Sequence, residues 1–230
     1  MIHYKLRHTS LSNESGFTII ESLVAILVVA ILLAAIAPVF VISVATRVQA
    51  KRIETATDAA KTYIDGIQSG TITAPNSPIT DGTTIADYPA PTVGSLTCTL
   101  NNYCSAPTNN LYCVSVDGNN CTTTSTSNYV IQAIRYNKAT QTSGGSTTNI
   151  TDPTKGYQLG LRVYRADGFA SAGGDLKKAP SKQATFTGGL GDRKAPLLEV
   201  TTEVANDETK FSNLCDRLQD TNNTASDCKP

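Results

Sequence analysis

Glu21 is the one charged side chain between Phe17 and Arg47. The residues around it, IIESLVAILVVAILLAAIAPVFVISVAT, form an apolar run longer than the roughly 20 residues that cross a bilayer as a helix. A carboxylate within such a span costs about 2.5–3.5 kcal/mol at its centre and less near an end. Its chemistry is therefore pairing: it needs a partner brought to it in an apolar medium. The other reactive groups are six cysteines, Cys98, Cys104, Cys113, Cys121, Cys215 and Cys228, all C-terminal to the run. No C-x-x-C pair occurs, and both histidines, His3 and His8, precede the run. Zinc coordination and Cys–His or Ser–His nucleophilic catalysis thus lack their parts, so no metal, cofactor or catalytic residue is expected. An even cysteine count beyond a membrane span favours disulfides.

Several elements must position these groups. At 230 residues the chain has room for one membrane helix and one domain of ordinary size. Its net charge is zero, which gives no bulk argument for a nucleic-acid partner. Lys5 and Arg7 precede the apolar run and hold that end in the cytoplasm, placing the remainder outside. Beyond Arg47 the helix continues in amphipathic form: Val48, Ile53, Ala56, Ala60, Tyr63, Ile64 and Ile67 recur at three- and four-residue steps. Gly66 and Gly70 are plausible ends. Pro38 removes one backbone hydrogen bond, so the helix kinks there or breaks into two.

Thr71 to Pro107, with Pro75, Pro78, Pro89 and Pro91, is not a continuous regular element. Strand signals follow at Leu111 to Asp117, Tyr129 to Tyr136, Tyr157 to Tyr164 and Leu197 to Val204. In the third, Leu159, Leu161 and Val163 share one face, with Gln158 and Arg162 opposite. Thr140 to Thr148 and Ala170 to Gly191 read as loops. With Tyr in excess of Phe and no Trp, no large aromatic core is expected. The fold class is α+β, with the sheet packed on the Ile53/Tyr63/Ile67 stripe. Asp117-Gly118-Asn119-Asn120 reads as a hairpin turn rather than a calcium loop, because the twelve-residue EF-hand pattern is missing. Lys177, Lys178, Lys182, Arg193 and Lys194 form either a small basic patch or a solvated surface.

The run Gly16-Phe17-Thr18-Ile19-Ile20-Glu21-Ser22 resembles the class III signal of type IV prepilins and pseudopilins. That signal is a basic leader ending in Gly, then Phe, then Glu at the fifth mature position and a long apolar helix. Pro38 matches a proline that many pilins carry. An ordinary secretory signal, with Ala35-Ile36-Ala37 as its cleavage site, would place Pro38 just after the cut. A simple anchor would explain the length of the run but not Gly16, Phe17 and Glu21.

The resemblance implies cleavage between Gly16 and Phe17 by a prepilin peptidase, methylation of the Phe17 amine, and a role for Glu21 in assembly. It implies a leader at 1–16, a membrane or filament-core helix at 17–46, its amphipathic continuation at 47–70 and an extracytoplasmic β-rich domain at 71–230. The implied partners are the inner membrane, other pilins or pseudopilins, an assembly platform and a motor ATPase. The spacing of Cys215 and Cys228 resembles the disulfide-closed C-terminal loop of many pilins, leaving the other four to pair among themselves. Closing a loop of about 14 residues would contribute about 3 kcal/mol in the chain-entropy account.

Chain length, loop content and cysteines resemble a minor pilin or pseudopilin more than a compact major pilin. The N-terminal wording resembles pseudopilins of filamentous cyanobacteria linked to hormogonium polysaccharide secretion, which makes an exported polysaccharide a further partner. The alternatives are a minor pilin for adhesion or DNA uptake, and an anchored carbohydrate-binding or enzymatic domain.

Overall fold

A computed structural model describes residues 16, 18–76, 78–81, 83–108, 110–137, 139–143, 146–184 and 191–218. The chain divides into two compact units, residues 1–44 and 45–230. Helix α1 (Ile19–Gln68) begins in the first and ends in the second. It stays helical on both sides of Pro38, so the two-helix alternative does not form. Its end matches the glycine signals: Gly70 adopts the left-handed φ of 73° that favours glycine, and its N–H donates to the Ile67 carbonyl.

In the second unit the strands are β1 (Pro78–Ile79), β2 (Thr97–Cys98), β3 (Cys104–Ala106), β4 (Leu111–Val114), β5 (Tyr129–Tyr136), β6 (Thr140–Ser143), β7 (Ser146–Asn149), β8 (Tyr157–Arg165) and β9 (Leu198–Val204). A second helix, α2 (Phe211–Leu218), follows in the tail that was read as loop. The main sheet runs β1-β5-β8-β9, and β4 also pairs with β5. Because β8 pairs with β5 along its whole length, β4 and β1 share the other edge, β4 antiparallel and β1 parallel. Two small antiparallel ribbons, β2–β3 and β6–β7, complete the unit.

The β6–β7 ribbon corrects the reading of 140–148 as a loop. Its β-branched threonines suit extended backbone, but it lacks the apolar alternation that would have marked a half-buried strand. The Asp117 turn is also different from expectation. Residues 115–128 connect β4 to β5, too long a link for a tight hairpin, and Cys113–Cys121 closes part of it. Asp117 Oδ1 accepts from the Asn119 N–H at 3.0 Å, and the buried Asn128 Oδ1 accepts from the Val116 N–H at 2.9 Å.

The core forms on both faces of the sheet. On one face Ile131, Ala133, Leu159, Leu161 and Val163 meet Ala56, Ala60, Tyr63 and Ile67 of α1, with Ile53 half-buried beside them. On the other, Val130 and Tyr164 pack with Leu111, Phe169, Leu176 and the two disulfides Cys98–Cys104 and Cys113–Cys121. Ile85 covers Ile134 nearby. Residues 85–96 thus lie over the sheet face that the alternation of β8 had left to solvent. Gly160 makes this close approach possible, since a Cβ there would meet Ile85 Cβ at 2.7 Å.

Arg162 is consequently fully buried. Its Nε donates to Glu199 Oε2 at 2.7 Å and its Nη1 to Gln132 Oε1 at 2.9 Å. Nη2 reaches the Ile85 carbonyl, and Gln132 Nε2 donates to the Pro89 carbonyl at 2.9 Å. A buried charge is tolerated when its remaining donors are satisfied in this way.

A tyrosine cluster corrects the expectation of no large aromatic core. The Tyr63 ring lies 4.9 Å from Tyr112 and 6.5 Å from Tyr103, and the Tyr63 and Tyr103 hydroxyls are 2.6 Å apart. Burial pushes Tyr63 well above the ordinary tyrosine range and Tyr103 up to about 12. Between the unfolded value of roughly 10 and these raised values the folded state holds more protons, so stability is full below about pH 10 and falls as pH rises. Alkaline titration is expected to release tyrosinate absorbance from the cluster only as far-UV circular dichroism is lost. Full ionisation near pH 10 with the fold intact would contradict this packing.

Candidate functional site

The site of chemical interest is the start of α1. Thr18 stands just before the helix, and its Oγ1 accepts the Glu21 N–H at 3.3 Å. The Thr18 carbonyl accepts the Ser22 N–H at 3.1 Å, and Ser22 Oγ donates to the Ile19 carbonyl at 2.8 Å. Thr18-Ile19-Ile20-Glu21 therefore has the S/T-x-x-E spacing of a helix N-cap, a signal legible in the sequence that the reading of Glu21 as an isolated acid passed over. The cap fixes Glu21 in the first helical turn, where unsatisfied N–H groups favour a negative charge.

Among the described residues nothing covers this helix start. Glu21 is exposed, as are Ile19, Ile20, Leu23, Val24, Leu27 and the apolar side chains that follow as far as Val44. The most apolar 18-residue window reaches a mean hydropathy of 3.1 with none of it buried. Among the described residues α1 is the one helix long and apolar enough to cross a membrane. Apolar area of this extent in water opposes solubility at roughly 25 cal/mol per Å², so the segment requires lipid or other helices around it.

Of the other sequence candidates, Gly16 is exposed and Pro38 lies inside α1. Phe17 and Cys228 lie outside the described residues. Cys98 is bonded to Cys104 and Cys113 to Cys121, all four buried. Cys215, on α2, is buried and disulfide-bonded.

Of the basic residues, Lys177, Lys178, Lys182 and Arg193 are exposed, as the solvated-surface alternative has it, whereas Lys194 is buried. Lys177 pairs with Asp192 at 2.6 Å, and this hydrogen bond, helped by the Lys194 N–H, holds the Asp192 carboxyl below its usual range against the opposing effect of burial. Lys178 Nζ donates to the Asp87 carbonyl at 2.7 Å. Lys194 is buried, its Nζ donating to the carbonyls of Gly168 at 2.8 Å and Ala170. Among the described residues no group of three or more His, Cys, Asp or Glu side chains is placed to hold a metal.

Comparison with known families matches residues 11–37 to the prokaryotic N-terminal methylation motif. No curated protein matches the chain, and no solved structure does. The matched residues contain the Gly16-Phe17 junction, the Thr18 cap and Glu21, and lead into a long helix packed on an antiparallel sheet with disulfides. With this class III prepilin motif on a pilin-like α+β fold, the chain is a type IV pilin-like protein.

Proposed function

We propose that this chain is a minor pilin or pseudopilin of a type IV pilus or related secretion apparatus that supports polysaccharide secretion and surface motility. The observation that carries the assembly role is the capped, uncovered start of α1, which presents one carboxylate on an otherwise apolar surface. A prepilin peptidase cuts after Gly16, and the Phe17 amine is methylated. The protein then waits in the inner membrane with its β-rich domain outside the cytoplasm. In the filament the Phe17 amine of one subunit meets Glu21 of a neighbour. The platform and motor ATPase drive insertion, and the chain itself catalyses no reaction.

Polysaccharide export draws support from the N-terminal likeness to secretion pseudopilins, and from a loop-rich, disulfide-clamped domain unlike that of a compact major pilin. DNA uptake has weaker support, since three of the five cations that would track a phosphate backbone, Lys177, Lys178 and Lys194, are held in internal bonds. The test is a clean deletion strain with and without the gene restored, scored for surface pili, released polysaccharide and gliding. Pili retained with polysaccharide and gliding lost is the expected outcome. Loss of all pili would make the chain a core or priming subunit, and normal polysaccharide release would overturn the secretion role.

A further inference from the structure

A cavity of about 460 Å³ opens in the second unit, bordered by Arg52, Arg165, Asp167, Asp192, Arg193 and Lys194. That volume falls in the range of roughly 300–1,000 Å³ typical of small-molecule sites. Its charge is lopsided, with four cations against two carboxylates. The carboxylates are largely engaged: Asp192 by Lys177 from outside the cavity, and Asp167 by Arg165 Nη2. The cations crowd one another. Burial lowers Arg52 below the ordinary arginine range and the nearby Arg165 lowers it further, while burial and then Arg193 do the same to Lys194.

Two polar atoms at this wall are left unsatisfied. Arg165 is only 7% exposed and its Nε has no hydrogen-bond partner, and Asp167, 9% exposed, has none at Oδ1. A buried donor on a cation and a buried acceptor on a carboxylate, each without a partner, are costly unless a ligand supplies both. A simple anion would satisfy the donor alone. A sugar acid satisfies both, its carboxylate meeting the guanidinium groups and a ring hydroxyl donating to Asp167. The cavity is partly open to solvent, and its volume suits one such residue rather than the backbone of a polyanion.

We propose that this cavity binds a hexuronate residue of an acidic polysaccharide. Identifying that glycan with the exported material rests on the secretion reading, whereas the binding itself does not. The experiment uses the full chain in detergent micelles, with saturation-transfer NMR and titrations of glucuronate, glucose and acetate. Glucuronate is expected to bind, glucose to give no signal, and acetate to bind at least about tenfold more weakly, as the loss of a charge-assisted hydrogen bond implies. Arg193→Gln, at an exposed position, is expected to weaken glucuronate about tenfold with the circular dichroism unchanged.

Equal binding of glucuronate and glucose, or no effect of either Arg193→Gln or Arg52→Gln, would overturn the proposal. Acetate binding as tightly as glucuronate would overturn it in favour of a site for an acidic side chain of a neighbouring subunit. Failure here leaves the deletion-strain outcome unaffected, and normal polysaccharide release in that strain leaves glucuronate binding unaffected.

Discussion

Arg162→Leu is expected to lower the thermal midpoint of the full chain in detergent by roughly 6–20 °C. That range converts a loss of about 3–5 kcal/mol for a broken buried ion pair at about 2–4 °C per kcal/mol in a chain of this size. The leucine fills part of the space but leaves Glu199 without its cation. It also leaves Gln132 Oε1 and the Ile85 carbonyl without a donor, on a sheet face closed to water. Arg162→Lys restores the charge but not the fork of donors, so it should fall between the two. Lys61→Leu, at an exposed position on α1, serves as the control and should change stability by no more than about 0.5 kcal/mol. Thermal unfolding followed by circular dichroism checks all three, and an unchanged midpoint for Arg162→Leu would mean that the 85–89 segment does not depend on this side chain.

The larger functional effect is expected at Glu21. The proposed cleavage would make Phe17 the N-terminus, two residues in sequence before α1, so that a new cation would come near the positive end of the helix, where it is disfavoured. Packing the helices together removes the water that would otherwise screen it. A carboxylate from a neighbouring subunit then relieves about 3–5 kcal/mol of unpaired-charge cost, so its removal should lower incorporation about a hundredfold or more. Glu21→Ala should therefore accumulate as cleaved, membrane-held protein with almost none in sheared filaments, measured by mass of the processed chain and immunoblot of each fraction. Glu21→Gln keeps hydrogen-bonding capacity without charge and should also fail if charge neutralisation is the cause. Normal incorporation of either variant would refute the pairing role. Because Glu21 donates its backbone N–H to Thr18, the side chain can be changed without deleting the cap.

The sequence was most legible where a single periodicity governed. Leu159, Leu161 and Val163 lie on the face their alternation indicated, and the Ile53/Tyr63/Ile67 stripe meets them. Arg162, on the opposite face, was misleading, because alternation shows which residues differ in environment and not whether both sides are covered. The covering chain, 85–96, has no apolar periodicity and reaches the sheet through separate contacts such as Ile85. Its role depends on Gly160, whose missing side chain has no periodic signature. Lys194, alone among the candidates for a basic patch, was misleading for a similar reason: a lysine held by two carbonyls 26 and 24 residues away looks the same in sequence as a solvated one. At the N-terminus the motif gave the position of Glu21, but the uncovered surface around it is a property of the folded chain.

The cysteine pairing has a consequence for biogenesis. The partners of the two disulfides seen whole among the described residues are separated by 6 and 8 residues, and no cysteine lies between the members of either pair. With the proposed export of the second unit behind its anchor, the chain would emerge from the N-terminal side, so that Cys98 would meet Cys104 before Cys113 had appeared, and Cys113 would meet Cys121 long before Cys215. Each of these four thiols would then find its mate as the nearest one available, and the order of export itself would select the two native pairs. Such a chain can oxidise during translocation with little need for later exchange between wrong partners.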